Sequence, residues 1–253
     1  MSEIFKKDIF GRPYILKKFL VRIFGSFFYP RFNKKYNVIA SGAQIINDLP
    51  DTNVLFISNH QTYFADVALM YQIIQNAKLG HLNTVQKKGF WKMPVKNFFY
   101  VAAEETMKDG FIPKLMALTG AVTIKRTWRE KGKEINREVD TKDTSNIAKA
   151  LDNGWVISFP QGTTKPFSII RKGTAHIIKD CKPIVVPIVI DGLRRAFDKK
   201  GLAKKKTNTD IKIWIKEPLK IDYNNSIDEI VEIIGDAIHQ TEYHKNNPKS
   251  ILI

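Results

Sequence analysis

Two residues in the first third of the chain have the types needed for acid–base catalysis. His60 comes shortly after the apolar run 54–58, and Asp66 follows six positions later. An imidazole exchanges protons near neutral pH, and a carboxylate bonded to one ring nitrogen would fix the tautomer and stabilise the imidazolium. The other nitrogen could then take a proton from a substrate hydroxyl. Taken alone, the pair equally fits a loop histidine and an acid that caps a helix.

Three further segments carry groups that could hold a substrate with a negative charge. Residues 158–165 place a Pro-Gly turn after an apolar run, which would expose backbone N–H groups. Residues 120–126 end an apolar run with Lys125 and Arg126, and Lys172 precedes a predicted helix whose N-terminus would favour an anion. We expect Arg126 and Lys172 to be phosphate ligands, although each cation alone also fits a solvated surface position.

The sequence pairs no obvious serine or cysteine with His60 and Asp66 as a nucleophile, so direct attack by a substrate hydroxyl is the simplest mechanism. The single cysteine, Cys181, excludes an internal disulfide and a cysteine cluster for zinc. We therefore expect no metal and a reducing, cytoplasmic location.

The elements that must position these groups alternate between strand-like and helix-like runs. The predicted strands cover residues 37–40, 54–58, 121–124, 156–159, 184–190 and 211–215. The predicted helices cover residues 65–77, 112–119, 143–151, 174–180 and 226–239. This alternation predicts an α/β fold with a mixed, mostly parallel central sheet flanked by helices. His60 and Gly162 each follow a strand, so both should lie at the carboxyl edge of the sheet.

Residues 14–29 have the pattern of an amphipathic helix, with apolar residues at spacings of three and four. We expect this basic N-terminal helix to lie in a membrane interface; packing of its stripe on the protein's own core is the alternative. Residues 1–35 are accordingly predicted to be a membrane-interface helical segment, and residues 36–253 a separate domain. The chain has no apolar run long enough to span a bilayer.

The formal charge of +16, from 41 Lys and Arg against 25 Asp and Glu, predicts an anionic partner. Aromatic and cationic residues alternate in residues 86–100, which suits a membrane interface or single-stranded nucleic acid. Another basic cluster includes Arg194, Arg195, Lys199, Lys200, Lys204, Lys205 and Lys206. This cluster could bind an anionic leaflet or be a solvated loop. No nucleic-acid-binding motif is present, so we expect no nucleic acid partner.

Taken together and in this order, the segments resemble the glycerolipid acyltransferase family typified by lysophosphatidic acid acyltransferases. The matching blocks are Asn59, His60 and Asp66; residues 120–126; residues 159–164; and the apolar run around Pro187. The resemblance covers roughly residues 54–191 and implies that residues 36–253 form the acyltransferase domain. It implies a glycerol-3-phosphate acyltransferase-like fold and transfer of a fatty acyl group from a thioester to a lysophospholipid hydroxyl.

In that resemblance His60 is the base, Asp66 its partner, and a phosphate on the acceptor meets Arg126. The implied substrate-binding residues are Asn59, Thr62, Lys125, Arg126, Gln161, Gly162, Thr163 and Lys172. Acyl-CoA or acyl carrier protein is the implied co-substrate, with no other cofactor. The implied setting is the cytoplasmic face of a membrane, with peripheral attachment to an anionic surface.

The chain also departs from the family pattern. Five residues separate His60 from Asp66 where four are usual, and Gln161 and Thr164 stand where the family has Glu and Arg. An extra helical residue would rotate the acid by ~100°, so the connecting turn must absorb it. The changes leave open another acceptor, such as an aminoacyl lysolipid, and a non-catalytic protein that binds lipid or nucleic acid.

Overall fold

The computed structural model describes residues 6–125, 129–130, 133–134, 141–205 and 208–247. Within these residues the strands are β1 (Asn37–Ser41), β2 (Val54–Ser58), β3 (Phe98–Ala103), β4 (Ala121–Ile124), β5 (Arg129–Glu130), β6 (Lys133–Glu134), β7 (Trp155–Ser158), β8 (Ile184–Asp191) and β9 (Asp210–Ile215). The helices are α1 (Tyr14–Pro30), α2 (Ala65–Ala77), α3 (Gly89–Lys92), α4 (Glu104–Lys108), α5 (Phe111–Ala117), α6 (Thr141–Asn153), α7 (Lys172–Cys181), α8 (Leu193–Ala196), α9 (Ile227–Ala237) and α10 (Glu242–Asn246). A π-helical turn, Arg31–Lys35, and a 3-10 helix, Ala43–Asp48, flank β1.

The central sheet has the strand order β1-β9-β8-β2-β7-β3-β4. Strands β8, β2, β7, β3 and β4 run parallel to one another, whereas β9 pairs with β8 antiparallel and β1 runs with β9. The predicted mixed, mostly parallel sheet is therefore confirmed. Because the five parallel strands share a direction, the loops after β2, β7, β3, β4 and β8 all leave the same edge of the sheet.

Both faces of the sheet are covered, because alternate side chains of each inner strand point to opposite sides. In β2, Val54 and Phe56 belong to one core cluster, which α2 completes. Leu55 and Ile57 belong to a second cluster, to which α6, α7 and α9 contribute. This burial on both faces explains why β2 is apolar at nearly every position.

Six predicted strands and five predicted helices are present, with ends shifted by a few residues, but β3 was not predicted. The interpretation of residues 86–100 as an interfacial segment is wrong for Phe98, Phe99 and Tyr100, which are buried in the sheet. Phe90 and Met93 are buried as well. Trp91, in contrast, is exposed. A strand between two others needs apolar residues on both faces, and the cations just before it conceal that pattern in the sequence.

Helix α1 presents apolar side chains on two sides. Leu20, Val21 and Phe28 are buried against the body of the protein. Phe19 and Ile23 lie on the outer side, with 59% and 46% of their surfaces exposed. Packing on the protein's own core thus accounts for the buried side of the helix but not for the exposed apolar residues on its outer side. The division of the chain after residue 35 stays a prediction.

Lys17 also lies on the buried side of α1, with 1% of its surface exposed. Its Nζ donates hydrogen bonds to the carbonyl oxygens of Lys96 and Phe98, at 3.0 and 3.2 Å. These contacts hold the start of α1 against the start of β3. None of the helices in the described ranges combines the length and apolar character that crossing a bilayer requires.

Candidate active site

The side chains of His60 and Asp66 are hydrogen-bonded at the carboxyl end of β2. The distance from His60 Nδ1 to Asp66 Oδ2 is 2.7 Å, and the Asp66 side chain is fully buried. With Nδ1 donating to the carboxylate, Nε2 is the ring nitrogen left to accept a proton. The arrangement is that of an oriented general base.

The turn between β2 and α2 absorbs the extra residue that separates the two side chains. The backbone N–H groups of Gln61 and Thr62 donate to Asp66 Oδ2, at 2.6 and 3.1 Å, and the Thr62 hydroxyl donates to Oδ1 at 3.1 Å. Asp66 lies in the first turn of α2, and Phe64 is the N-cap, without a side-chain cap. The carboxylate therefore orders the preceding loop and the imidazole, and does not serve as the N-cap residue.

The turn after β7 covers one face of the His60 ring. Phe159 stacks on that ring, with centroids 3.9 Å apart and planes inclined by 21°. Gly162 has φ +61°, a left-handed conformation that favours glycine, and its N–H donates to the Phe159 carbonyl at 2.9 Å. The Pro-Gly turn thus folds back on itself and fixes the aromatic ring against the base.

Two amides join the His60 loop to the end of β8. The Asn59 side chain donates to the Ile190 carbonyl at 2.7 Å and accepts from the Ile190 N–H at 2.8 Å. The Gln61 side chain donates to the same carbonyl at 3.0 Å and accepts from the Arg194 N–H at 3.1 Å. Asn59, expected as a substrate ligand, is buried and has both ends of its amide engaged in this way.

The Arg194 guanidinium contacts both loops of the site. Its Nη2 donates to the carbonyl oxygens of His60, at 3.5 Å, and of Thr164. Burial lowers the pKa of Arg194 below its usual value. The negative charges of Asp66 and Asp191 oppose this shift but do not cancel it. Sequence analysis placed Arg194 only in a surface cluster. A contact between residues 30 or more positions apart leaves no pattern in the local sequence that could have predicted it.

A groove opens beside His60. Its wall consists of His60, Tyr63, Val67, Tyr100, Val101, Ala102, Ala103, Thr106, Met107, Ile124, Phe159 and Gly162. The ends of β2, β3, β4 and β7 therefore meet there, as their parallel direction requires. Among the predicted site residues, His60 and Gly162 line this groove.

The other predicted ligands do not line this groove, and their contacts are with other parts of the protein. Lys172 forms an ion pair with Asp228 at 2.7 Å, at the start of α7. Lys125 is exposed at the end of β4, with its N–H donating to Asp143 at 2.7 Å. Thr163 accepts a hydrogen bond from the Lys165 N–H at 3.3 Å. Arg126 lies outside the described residues.

Gln161 ties the turn to the C-terminal part of the chain. The side chain is 1% exposed, and its Nε2 donates to the Ser168 carbonyl at 2.9 Å and to Gln240 Oε1 at 3.2 Å. Gln240 Oε1 also accepts the Phe167 N–H at 2.9 Å. Gln161 therefore closes the loop that carries Gly162. Gln240 supports Gln161 from the segment that follows α9, and sequence analysis did not identify this residue.

No group of three or more His, Cys, Asp or Glu side chains in the described parts of the chain is placed to hold a metal ion. The site as it stands offers one oriented base, an aromatic cover and a groove with a mainly apolar wall. Such a site can remove a proton from a hydroxyl that enters the groove.

Comparison with known proteins agrees with this geometry. The acyltransferase family model matches residues 37–191, which include β1 to β8 and both site loops. The fold is similar to the crystal structure of the 1-acyl-sn-glycerophosphate (LPA) acyltransferase PlsC from Thermotoga maritima, with a TM-score of 0.55 and 20% sequence identity. The similarity covers 92% of this chain and 80% of that one. No curated protein matches the chain at a significant level. Because the family model covers well over half of the sequence, the chain belongs to the acyltransferase family.

Proposed function

We propose that this acyltransferase moves a fatty acyl group from a thioester to the hydroxyl of a lysophospholipid-type acceptor, while bound at a membrane surface. The observation that carries the proposal is the 2.7 Å hydrogen bond between His60 Nδ1 and a fully buried carboxylate, at the mouth of the groove. This is the constellation that general-base activation of a hydroxyl needs.

The proposed reaction transfers the acyl group directly to the acceptor, without an acyl-enzyme. His60 Nε2 removes the proton of the acceptor hydroxyl while that oxygen attacks the thioester carbonyl carbon. The tetrahedral intermediate then breaks its C–S bond, and the imidazolium returns the proton to the departing sulfur. Asp66 stabilises the imidazolium throughout. Direct transfer is supported by the groove wall, which includes no serine or cysteine among the described residues.

An apolar cavity next to the groove supports a long acyl chain as the transferred group. This cavity shares Val67 and Tyr100 with the groove wall. The rest of its wall includes Val21, Phe24, Gly25 and Phe28 of α1, Phe64, Ala68, Tyr71 and Gln72, Phe90, Phe98, and Met116 and Thr119 near α5. An alkyl chain entering it would leave water at ~0.8 kcal/mol per methylene group.

The outer side of α1 supports attachment to a membrane surface. Ile15, Phe19 and Ile23 recur every four residues there, and each is at least 46% exposed. Phe111, at the start of α5, is 75% exposed. Single exposed apolar residues are ordinary, but a row of them on a basic helix fits insertion into a leaflet. The proposed attachment is peripheral and to the cytoplasmic leaflet.

The experiment is to incubate the purified protein with a labelled acyl thioester and a panel of lysolipids, and to identify the products by mass. The panel should include lysophosphatidic acid, neutral-headgroup lysolipids and an aminoacyl lysolipid, because Gln161 and Thr164 differ from the family pattern. An ester product whose formation requires a lysolipid is the expected result. Release of thiol without any acylated lipid, or no reaction with any acceptor, would contradict the proposal.

A further inference from the structure

The turn that covers His60, residues 159–168, carries two features that cost stability. Phe167 has φ +53°, a left-handed conformation that residues with a side chain rarely adopt. The Oε1 atom of Gln161 is buried and accepts no hydrogen bond from the described residues. Such costs persist only where the surrounding structure enforces them, and they are frequent at functional sites. The contacts that enforce this conformation are therefore candidates for a functional role.

One atom, Gln240 Oε1, holds both of these residues. It accepts the Phe167 N–H at 2.9 Å and Gln161 Nε2 at 3.2 Å. Gln161 Nε2 also donates to the Ser168 carbonyl at 2.9 Å. Because both partners of this nitrogen are acceptors, position 161 must present a donor to them, and the amide oxygen is left without a partner.

Gln240 is itself fixed by the backbone around it. Its Nε2 donates to the His239 carbonyl at 2.8 Å, which leaves Oε1 to face the turn. Its N–H donates to the Gly235 carbonyl at 2.9 Å. His239 also has a left-handed conformation, with φ +56°, and its ring stacks on that of His244, with centroids 4.5 Å apart. The direction of the bonds to the turn is therefore set from the C-terminal segment.

The same turn determines how the base is covered. Phe159, at its start, stacks on the His60 ring, and Gly162 lines the groove. Gln161 lies between Phe159 and Gly162 in the sequence, but its side chain does not line the groove. Gln161 can therefore act on His60 only through the position of the turn.

We propose that Gln161 and Gln240 are a pair of positioning residues for acyl transfer, whose hydrogen bond sets the turn that places Phe159 against the His60 imidazole. The pair rests on the proposed function, because its role belongs to that reaction. Gln161 is then not the substrate ligand expected from the sequence. A glutamate at position 161, as in the family pattern, would set its carboxylate against two acceptors, the Ser168 carbonyl and Gln240 Oε1, to which it cannot donate.

The first test is Gln240→Met, which nearly keeps the length of the side chain and removes the acceptor. We expect kcat to fall about tenfold or more, because the base is displaced from its productive position, while KM for thioester and lysolipid stays within about twofold. The second readout is the NMR resonance of the His60 ring, assigned by its absence in His60→Ala. It should move toward its position in Phe159→Leu, in which the stacked ring is missing.

Gln161→Glu tests the same pair from its other side, by introducing the residue of the family pattern. If Gln161 is matched to Gln240, this substitution should lower kcat and move the His60 resonance as Gln240→Met does. KM for the lysolipid should again change little, whereas loss of a substrate ligand would raise it.

Gln75→Met is the matched control. The Gln75 side chain is buried, donates to the Val95 carbonyl at 2.8 Å and accepts the Val95 N–H at 3.0 Å, so it also ties a distant segment in place. It lines neither the groove nor the apolar cavity. We expect this variant to lower the melting temperature without changing kcat or the His60 resonance.

The proposal would be overturned if Gln240→Met or Gln161→Glu kept the wild-type kcat or the wild-type His60 resonance. An equal effect of Gln75→Met would overturn it as well, by reducing the pair to a general contribution to stability. So would a raised KM for the lysolipid at unchanged kcat. Failure of the proposed function would be seen separately, as no acyl transfer by the wild type, while the resonance still reports the stacking.

Discussion

The most informative single substitution is Asp66→Asn, because it removes a charge from the site and leaves the shape almost unchanged. With its remaining oxygen at the position of Oδ2, asparagine can still accept from His60 Nδ1 and from the N–H groups of Gln61 and Thr62. Its NH₂ group would face the Thr62 hydroxyl, which can accept a hydrogen bond. The tautomer of His60 is therefore kept, and what is lost is the negative charge beside the imidazolium.

The size of the effect follows from that loss. A hydrogen bond to a charged group contributes about 1.5–3 kcal/mol. If this contribution is removed only from the charged transition state, kcat falls about 10- to 150-fold and KM for the thioester changes little. The assay is thiol release coupled to formation of the acylated lipid, with the melting temperature measured in parallel.

Asp8→Asn is the matched control. The Asp8 side chain is also buried, and it accepts the N–H groups of Phe10 and Arg12 and the Arg12 guanidinium. Arg12 in turn donates to the carbonyls of Ala117, at the end of α5, and of Ala121, at the start of β4, and neither residue lines the groove. We expect Asp8→Asn to lower the melting temperature without lowering kcat. The reasoning would be refuted if Asp66→Asn kept kcat within about threefold, or if both variants lost activity equally.

Three further substitutions test other parts of the structure. Ala68→Phe should fill the apolar cavity and shift the preference of the enzyme to shorter acyl chains. Excluding two methylene groups from the cavity costs ~1.6 kcal/mol, so kcat/KM for the longest chains should fall about tenfold relative to that for short ones. Burial and the charge of Arg12 lower the pKa of Lys17 from 10.5 to about 7. Between these pH values the unfolded chain binds a proton that the folded protein lacks, so the free energy of unfolding should rise by ~1.4 kcal/mol per pH unit. Lys17→Met should remove that rise in denaturant titrations compared with the wild type; identical slopes would contradict the assignment. Phe19→Glu should release the protein from anionic vesicles in co-sedimentation, whereas Tyr243→Glu, at a residue that is 64% exposed, should not.

The parts of the site that the sequence predicts depend on short-range geometry. The predicted hydrogen bond between His60 and Asp66 is present because the N–H groups of the intervening turn bind the same carboxylate. The position of Gly162 beside His60 follows from the parallel direction of β2 and β7. In both cases the end of a strand and the turn that follows it determine the position of the residue.

The parts that the sequence does not predict depend on contacts between distant segments. Arg194 reaches the two site loops from α8, and Gln240 supports Gln161 from the segment that follows α9. Lys17 is buried within a stripe whose other members are apolar, because two carbonyl groups at the start of β3 bind its ammonium group. No periodicity distinguishes such a lysine from a solvated one.

The central claim is that the His60 imidazole deprotonates the acceptor hydroxyl. Its most direct test is the single-turnover rate of acylated lipid formation by His60→Ala, measured with the protein in excess over the acyl thioester and with saturating lysolipid. Since a positioned general base contributes about 10²- to 10⁴-fold, we expect the rate to fall by at least 10²-fold while vesicle binding is unchanged. A variant that forms the product at the wild-type rate would contradict the claim.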